Sequence, residues 1–217
     1  MTMRVQVVSG TAESLLNDFV VDEPTVMIAE LTESTVVLGS AQHFEVLDLA
    51  AVRSANIAVT KRSSGGGAVL LVPGEHLWID AIWPQRLADE RGIESSFRWA
   101  GALFHAALAT LDVETSMFEG FPARDEHARR VCFAGLGHGE LSVGTAKVLG
   151  LSQRRRRDQI RVQGLCLLRW HHADLLALLS GSTAELASRL VVDGELGVRA
   201  GALRNAVLEQ FAGADLP

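Results

Sequence analysis

Cysteine is scarce in this chain: Cys132 and Cys166 are the two in 217 residues. Two thiols cannot build a disulfide framework, and such scarcity points to a reducing compartment. No run approaches the roughly 20 apolar residues that a membrane helix needs, since Asp80 interrupts the longest candidate, Leu77 to Trp83. Met1 to Val8 carry Arg4 and lack the apolar core and small-residue cleavage site of a secretory signal. These absences predict a soluble cytoplasmic protein with no membrane partner. A positive surplus is missing as well: the net charge of -6 argues against a nucleic-acid partner. With 48% hydrophobic and 21% charged residues, no internal repeat and no low-complexity linker, residues 1–217 read as one domain with one substantial core.

Lysine is the other scarcity. Lys61 and Lys147 stand against eighteen arginines, so a lysine at 147 is not this chain's habit for a solvated charge. Charge is also unevenly spread. Between Lys147 and Arg169 seven basic residues face one acid, Asp158, a local surplus of six that leaves -12 elsewhere. Such polarity suits an anionic ligand or an acidic partner.

Apolar spacing predicts a short helix with Leu15, Leu16, Phe19 and Val20 behind a Thr11 cap. Strands follow at Thr35 to Gly39, Asn56 to Thr60, Ala68 to Val72 and His76 to Trp83, with a helix over Glu45 to Ala55. Phe97, Ala100, Phe104, Ala107, Leu108 and Leu111 make one stripe of a helix from Ser95 to Leu111. Met117 to Arg130 reads as loop. Ala146 to Leu151 and Gln159 to Leu168 read as a hairpin joined through four arginines, and helical segments follow from about Asp174. The elements interleave without a regular βαβ beat, which predicts an α+β (mixed α/β) fold rather than a doubly wound sheet.

Lys61-Arg62-Ser63-Ser64-Gly65-Gly66-Gly67-Ala68-Val69 is the first stretch that could carry chemistry. Three glycines before a strand imply main chain lying against something bulky. Their spacing matches neither a Walker loop nor a dinucleotide fingerprint. A glycine-rich hairpin or bulge is the plain alternative, while Arg62 beside such backbone suits a phosphate or carboxylate. In the second stretch, Gly144 to Gln153, a strand would set Lys147 in apolar surroundings, where its compact ammonium can reach between two oxygens; an exposed surface lysine is the plain alternative.

Together with Thr35-Val36-Val37-Leu38-Gly39-Ser40-Ala41-Gln42, these two stretches resemble, in order, the motifs of the lipoate–protein ligase catalytic domain. That family includes octanoyltransferases and is related in fold to biotin ligases, whose G-R-G-R loop is absent here. The resemblance implies a mixed sheet of the class II synthetase type flanked by helices, with the ligand in a tunnel beneath the glycine loop. It implies acyl and adenylate binding by Arg62, Ser64, Gly65, Gly66, Gly67, Ala68, Gly150 and Gln153, and a catalytic Lys147 on acyl and phosphate oxygens. The reaction implied is activation of lipoate or octanoate with ATP and Mg²⁺, then transfer to a lysine of a lipoyl-acceptor domain protein, with no resident metal. The family's larger ligases carry a further C-terminal domain, for which little room is expected after Pro217.

The chain departs from the family's pattern in two places. Leu70, Leu71 and Val72 stand where an aromatic residue and His-Asp are usual, and Gln163-Gly164 where His-Gly is usual. His76 and Asp80, one strand on, are candidates to substitute, although His76 also reads as a core histidine. Cys132, in Val131-Cys132-Phe133-Ala134-Gly135, resembles the acyl-carrying cysteine of some octanoyltransferases, which implies an ATP-independent alternative. Such a thiolate needs a cation or base nearby, for which His127, Arg129, Arg130 and His138 are candidates. The other reading of Cys132 is a packed small hydrophobe; Cys166, amid leucines, is structural. A non-catalytic member that binds an acyl or biotin-like ligand is the third reading. Arg154 to Arg157 form a solvated tip, a patch for an acidic acceptor or, less consistently without interleaved aromatics, a nucleic-acid contact.

Overall fold

The computed structural model describes residues 3–17, 19–87, 92–120, 126–191 and 193–217. In chain order it has β1 (Arg4–Gly10), α1 (Ala12–Leu16), β2 (Thr25–Leu31), β3 (Thr35–Leu38), α2 (Leu49–Ser54), β4 (Ala58–Lys61), β5 (Val69–Leu71) and β6 (His76–Pro84). Next come α3 (Gly92–Ala109), β7 (Ser116–Met117), α4 (Glu126–Arg130), a 3-10 turn at Cys132–Ala134, β8 (Leu141–Val143), β9 (Ala146–Arg155) and β10 (Gln159–Leu167). The chain then forms β11 (Arg169–His171), α5 (His172–Ala177), α6 (Ala184–Arg189), β12 (Asp193–Glu195) and α7 (Ala200–Gly213). Among the described residues, no helix is long and apolar enough to cross a membrane.

The larger sheet has the strand order β1-β2-β6-β10-β9-β8-β7, and a smaller one has the order β4-β3-β5. β1 runs parallel to β2 and β3 to β4, whereas β6, β10 and β9 are antiparallel neighbours. This is the expected α+β class, with a mixed sheet.

Every residue of β6 is buried, because both faces of the large sheet are covered. A strand covered on both sides reads as a continuous apolar run rather than an alternation. On one face α3 and α7 close the core, where Trp83, Trp99 and Phe211 stack edge to face at centroid distances of 5.6 and 5.3 Å. Deleting one fully buried ring of this kind costs about 3–5 kcal/mol. The other face looks toward the smaller sheet. There the period of two divides the strands between two cores: Val37, Val69 and Leu71 join the main core, while Val36, Leu38 and Leu70 pack with Leu175, Leu179 and Leu186 of the C-terminal helices.

Several elements differ from the pattern in the sequence. β2 is buried almost throughout, so it shows no alternation, and a short apolar run of that kind is ambiguous by period alone. The first helix stops at Leu16 although the apolar spacing continues to Phe19 and Val20. Arg161 takes up its last carbonyls, donating to Leu15 O at 2.7 Å and Asn17 O at 2.8 Å, and its guanidinium lies over the Phe19 ring. In the hairpin, Arg154 and Arg155 belong to β9, and the turn itself is residues 156–158. The span expected as loop, Met117 to Arg130, ends in α4, and its residues 121–125 lie outside the described residues.

Candidate functional site

The two sheets enclose a cavity of about 350 Å³. Val37, Val69 and Leu71 of the smaller sheet line one wall, and Trp78, Gln163, Leu165 and Gly150 of the larger sheet line the opposite one. Register aligns three of these in a row across the sheet, with Leu165 paired to Gly150 on one side and to Trp78 on the other. Cys132, Glu140 and Lys147 line the same cavity beside Gly150.

A bulge sets which side chains of β9 reach the cavity. Ser142 pairs with Lys147 but Leu141 pairs with Leu149, so Val148 is the extra residue. Facing is thereby reversed beyond it. A β-carbon on Gly150 would lie 3.7 Å from Lys147 Cε and 3.3 Å from Phe133 Cζ, so Gly150 shares the Lys147 side. Ser152 follows on that side and donates to Gln163 Oε1 at 3.2 Å. Arg155 reaches Ser96 of α3 on the opposite face, and Gln153 shares that face by alternation. The expected adenylate contact by Gln153 therefore does not meet the cavity: its amide atoms are buried without partners, and it is absent from the lining.

Lys147 is 7% exposed, and its ammonium is saturated by three protein acceptors. Nζ donates to Cys132 O at 3.1 Å and Gly135 O at 2.9 Å, and it pairs with Glu140 Oε2 at 2.6 Å. Glu140 also accepts from Leu151 N at 3.0 Å and from Gly137 N. One buried ion pair thus fastens the turn bearing Cys132 to β9. Glu140 belongs to neither sequence motif; it immediately precedes β8, whose turn at Gly144-Thr145 leads into β9.

Cys132 is a free, partly exposed thiol on the cavity wall. Its amide donates to Ala68 O at 2.9 Å, and the Ala68 amide donates to Arg130 O at 2.9 Å, so the glycine loop and the cysteine turn are stitched together. Gln42, the last residue of the first motif, locks the same junction through its side-chain amide, donating to Arg129 O at 3.0 Å and Arg130 O at 3.1 Å. The cations suggested for the thiol lie elsewhere. Arg130 donates to Ser180 O and Ser182 O, His127 meets Glu185, and His138 meets Glu94; none of them, nor Arg129, lines the cavity. The ammonium beside Cys132 is that of Lys147.

Arg62, Gly65 and Gly66 form one rim of the cavity. The Arg62 guanidinium turns onto its own loop, donating to Gly65 O at 2.8 Å, Gly67 O at 2.8 Å and Val37 O at 3.3 Å. Gly66 has φ +96° and Gly67 abuts the Arg130–Val131 main chain, where a β-carbon would come within 2.4 Å of Val131 N. Bulky neighbours of these two glycines are therefore protein atoms, while Gly65 faces open space. Ser64, Gly67 and Ala68 do not line the cavity; Ser64 accepts from Ser40 N at 2.9 Å, and its hydroxyl is buried without a partner.

His76 and Asp80, the expected substitutes for the missing polar pair, also lie outside the lining. Asp80 is fully buried and bound by Arg161 Nε at 2.9 Å and Trp78 Nε1 at 2.9 Å. Burial pushes its carboxyl up from the usual range, and the Arg161 charge opposes that. Its effect on the cavity is indirect, because Trp78 and Gln163, which it holds, both line the wall. Burial also pushes the Cys166 thiol up to about 12, in keeping with a structural residue.

His76 donates from Nδ1 to Val72 O at 3.0 Å, and burial pushes it from 6.5 down to about 4. The unfolded chain therefore takes up this proton before the folded one does. Its contribution to stability is complete above about pH 6.5 and lost as pH falls to about 4, a change of about 3 kcal/mol. Denaturant unfolding at pH 7 and pH 4.5 should record that fall, and His76→Gln should remove most of it. Equal slopes in the variant and the parent would assign the pH dependence to other groups.

Among the described residues no group of three or more His, Cys, Asp or Glu side chains could hold a metal ion. Glu140, the carboxylate in the cavity, is committed to Lys147, and both cations lining the cavity donate to main-chain carbonyls. These residues do not fit Mg²⁺.

The sequence model of the "Lipoyl protein ligase A/B catalytic domain" family matches residues 9–207. Octanoyltransferase LipM of Moorella thermoacetica is 26% identical over 179 residues, 77% of this chain and 62% of that protein. Octanoyl-[GcvH]:protein N-octanoyltransferase of Geobacillus kaustophilus is 35% identical over 137 residues, 60% of this chain and 43% of that protein. The chain thus spans less than two thirds of either curated relative's length. A solved structure of lipoate-protein ligase A bound with ATP has a TM-score of 0.75 at 18% identity, covering 97% of this chain and 84% of its own. At that identity the likeness is one of fold.

Proposed function

The chain belongs to the lipoyl protein ligase A/B catalytic-domain family, an enzyme family, and from that premise we propose that it is an acyltransferase working through Cys132. It takes an octanoyl or lipoyl group from a thioester donor and passes it to a lysine of a lipoyl-acceptor domain. The observation that carries this reading is the partly exposed thiol on the wall of an apolar cavity, with the Lys147 ammonium fixed on that residue's own carbonyl.

In the first half-reaction the Cys132 thiolate attacks the donor's thioester carbonyl and the donor thiolate leaves. In the second, the neutral amine of the acceptor lysine attacks acyl-Cys132; the amide forms, the cysteine sulfur departs, and the amine's proton is released. The Lys147 ammonium, held on the Cys132 carbonyl, adds positive potential to the turn that carries the sulfur, which favours its charged form when it attacks and when it leaves. Lys147 also positions the turn, because all three of its contacts tie residues 132–140 to β9. Both curated relatives carry octanoyltransferase names, which favours this reading over activation with ATP.

The length of the cavity suits a medium chain. From Gly150 through Leu165 to Trp78 spans two strand spacings, about 10 Å. An extended acyl chain advances about 1.3 Å per carbon, so eight carbons reach about 9 Å. Trp78, held by Asp80, ends this row of lining residues; if it limits chain length, Trp78→Ala should move the preferred donor from eight carbons to ten or twelve in a competition among acyl thioesters. An unchanged preference would remove Trp78 from that role.

The test of the function is transfer without nucleotide. Octanoyl thioester plus an acceptor domain should give octanoylated acceptor in the absence of ATP. Release of pyrophosphate from ATP and free octanoate, with no transfer from the thioester, would instead establish the ligase reaction.

A further inference from the structure

The β9–β10 hairpin carries Arg154, Arg156 and Arg157, with Asp158 the acid among them. Arg156 and Arg157 are exposed. Arg154 donates to Ser63 Oγ at 3.1 Å, which ties the hairpin end to the glycine loop, whose Gly65 and Gly66 rim the cavity. Arg156 N closes the turn on Gln159 O at 2.8 Å, and one outside contact holds it, Gln85 N donating to Asp158 O at 2.7 Å. Lys61, also exposed, ends β4 on the same loop. The loop that rims the cavity and the hairpin end tied to it through Arg154 therefore carry a group of basic side chains in a chain whose net charge is -6.

We infer that this edge is the docking surface for the acceptor protein, and that the acceptor is acidic around the lysine it presents. The inference rests on the acyltransferase reading of the cavity. An acceptor lysine arrives as a cation near a loop and hairpin that carry Lys61, Arg62, Arg154, Arg156 and Arg157. Approach of a bare lysine is disfavoured there by like-charge repulsion, and an acidic surround reverses the sign of the encounter. A rigid hairpin tied to the loop holds that field in register with the mouth, so orientation is selected along with charge.

The test pairs Arg156→Glu/Arg157→Glu with the parent protein and uses two acceptors, an acidic apo-lipoyl domain and a net-neutral lysine peptide. The donor is octanoyl-N-acetylcysteamine, which carries no charge. Cys132 acylation should be unchanged in the variant. Transfer to the acidic domain should fall at least tenfold in kcat/KM, transfer to the neutral peptide should not fall, and the parent's preference for the domain should decline with added salt. Affinity for the domain, measured separately without donor, should weaken at least tenfold; this readout survives even if the acyl chemistry is of another kind. Undiminished affinity and transfer in the variant, or a parent insensitive to salt, would overturn the docking surface.

Discussion

Cys132→Ala should abolish acyl transfer, lowering kcat/KM by at least about 10³-fold, as expected when a covalent nucleophile is removed. The fold should be unaffected. The links through residue 132 are main-chain ones, its amide to Ala68 O and its carbonyl to Lys147 Nζ, and both survive the substitution. A melting temperature within about 2 °C of the parent, with no acylated protein and no product, is the expected pair of results. Retained transfer would identify another nucleophile, and a large loss of stability would assign Cys132 to packing.

Lys147→Met should be damaging for two separable reasons. It leaves Glu140, with a side chain only 8% exposed, as a buried carboxylate without its ion-pair partner. Breaking one side of a buried pair costs about 3–5 kcal/mol, whereas replacing both partners by apolar groups is often neutral. Lys147→Met/Glu140→Leu should therefore recover much of the stability lost in the single variant, read by denaturant unfolding. Activity should not recover, since the cation beside Cys132 and the anchor of its turn are still gone. A fall of about 10²–10³-fold in kcat/KM is expected for both variants. If the double variant regains activity with stability, the lysine's role is structural alone.

Much of the site was legible because its motifs coincide with strong local signals. Glycines followed by an apolar strand, and a lysine in an arginine-using chain, both bring residues to one cavity, and Arg62, Gly65, Gly66, Cys132, Lys147 and Gly150 meet there. The illegible parts depend on partners far along the chain or on one-residue shifts. Asp80 looks available beside an apolar strand, but its partner Arg161 is 81 residues away. Gln153 has the parity of Lys147, and the bulge at Val148 turns it to the helices. Glu140 lacks any flanking pattern, although its pair with Lys147 is the closest charged contact in the cavity. The glycine loop was legible as a close approach, yet what Gly66 and Gly67 approach is Arg62 and the Arg130–Val131 main chain.

The fold shows the same division. α3 and the hairpin follow from local period, whereas β2 and the early stop of α1 follow from burial on two faces and from Arg161 capping carbonyls 144 to 146 residues earlier in the chain. Neither leaves a local trace. The cavity between the two sheets is thus a tertiary product of residues whose chemistry, but not whose facing, was readable in advance.

The most direct measurement is the intact mass of the ligand-free protein after brief exposure to octanoyl-N-acetylcysteamine without ATP, followed by peptide mapping. A gain of one octanoyl group, on the peptide containing Cys132 and discharged when an acceptor domain is added, is the expected result. No adduct, or one that maps to another residue and persists in Cys132→Ala, would contradict an acyl-Cys132 intermediate.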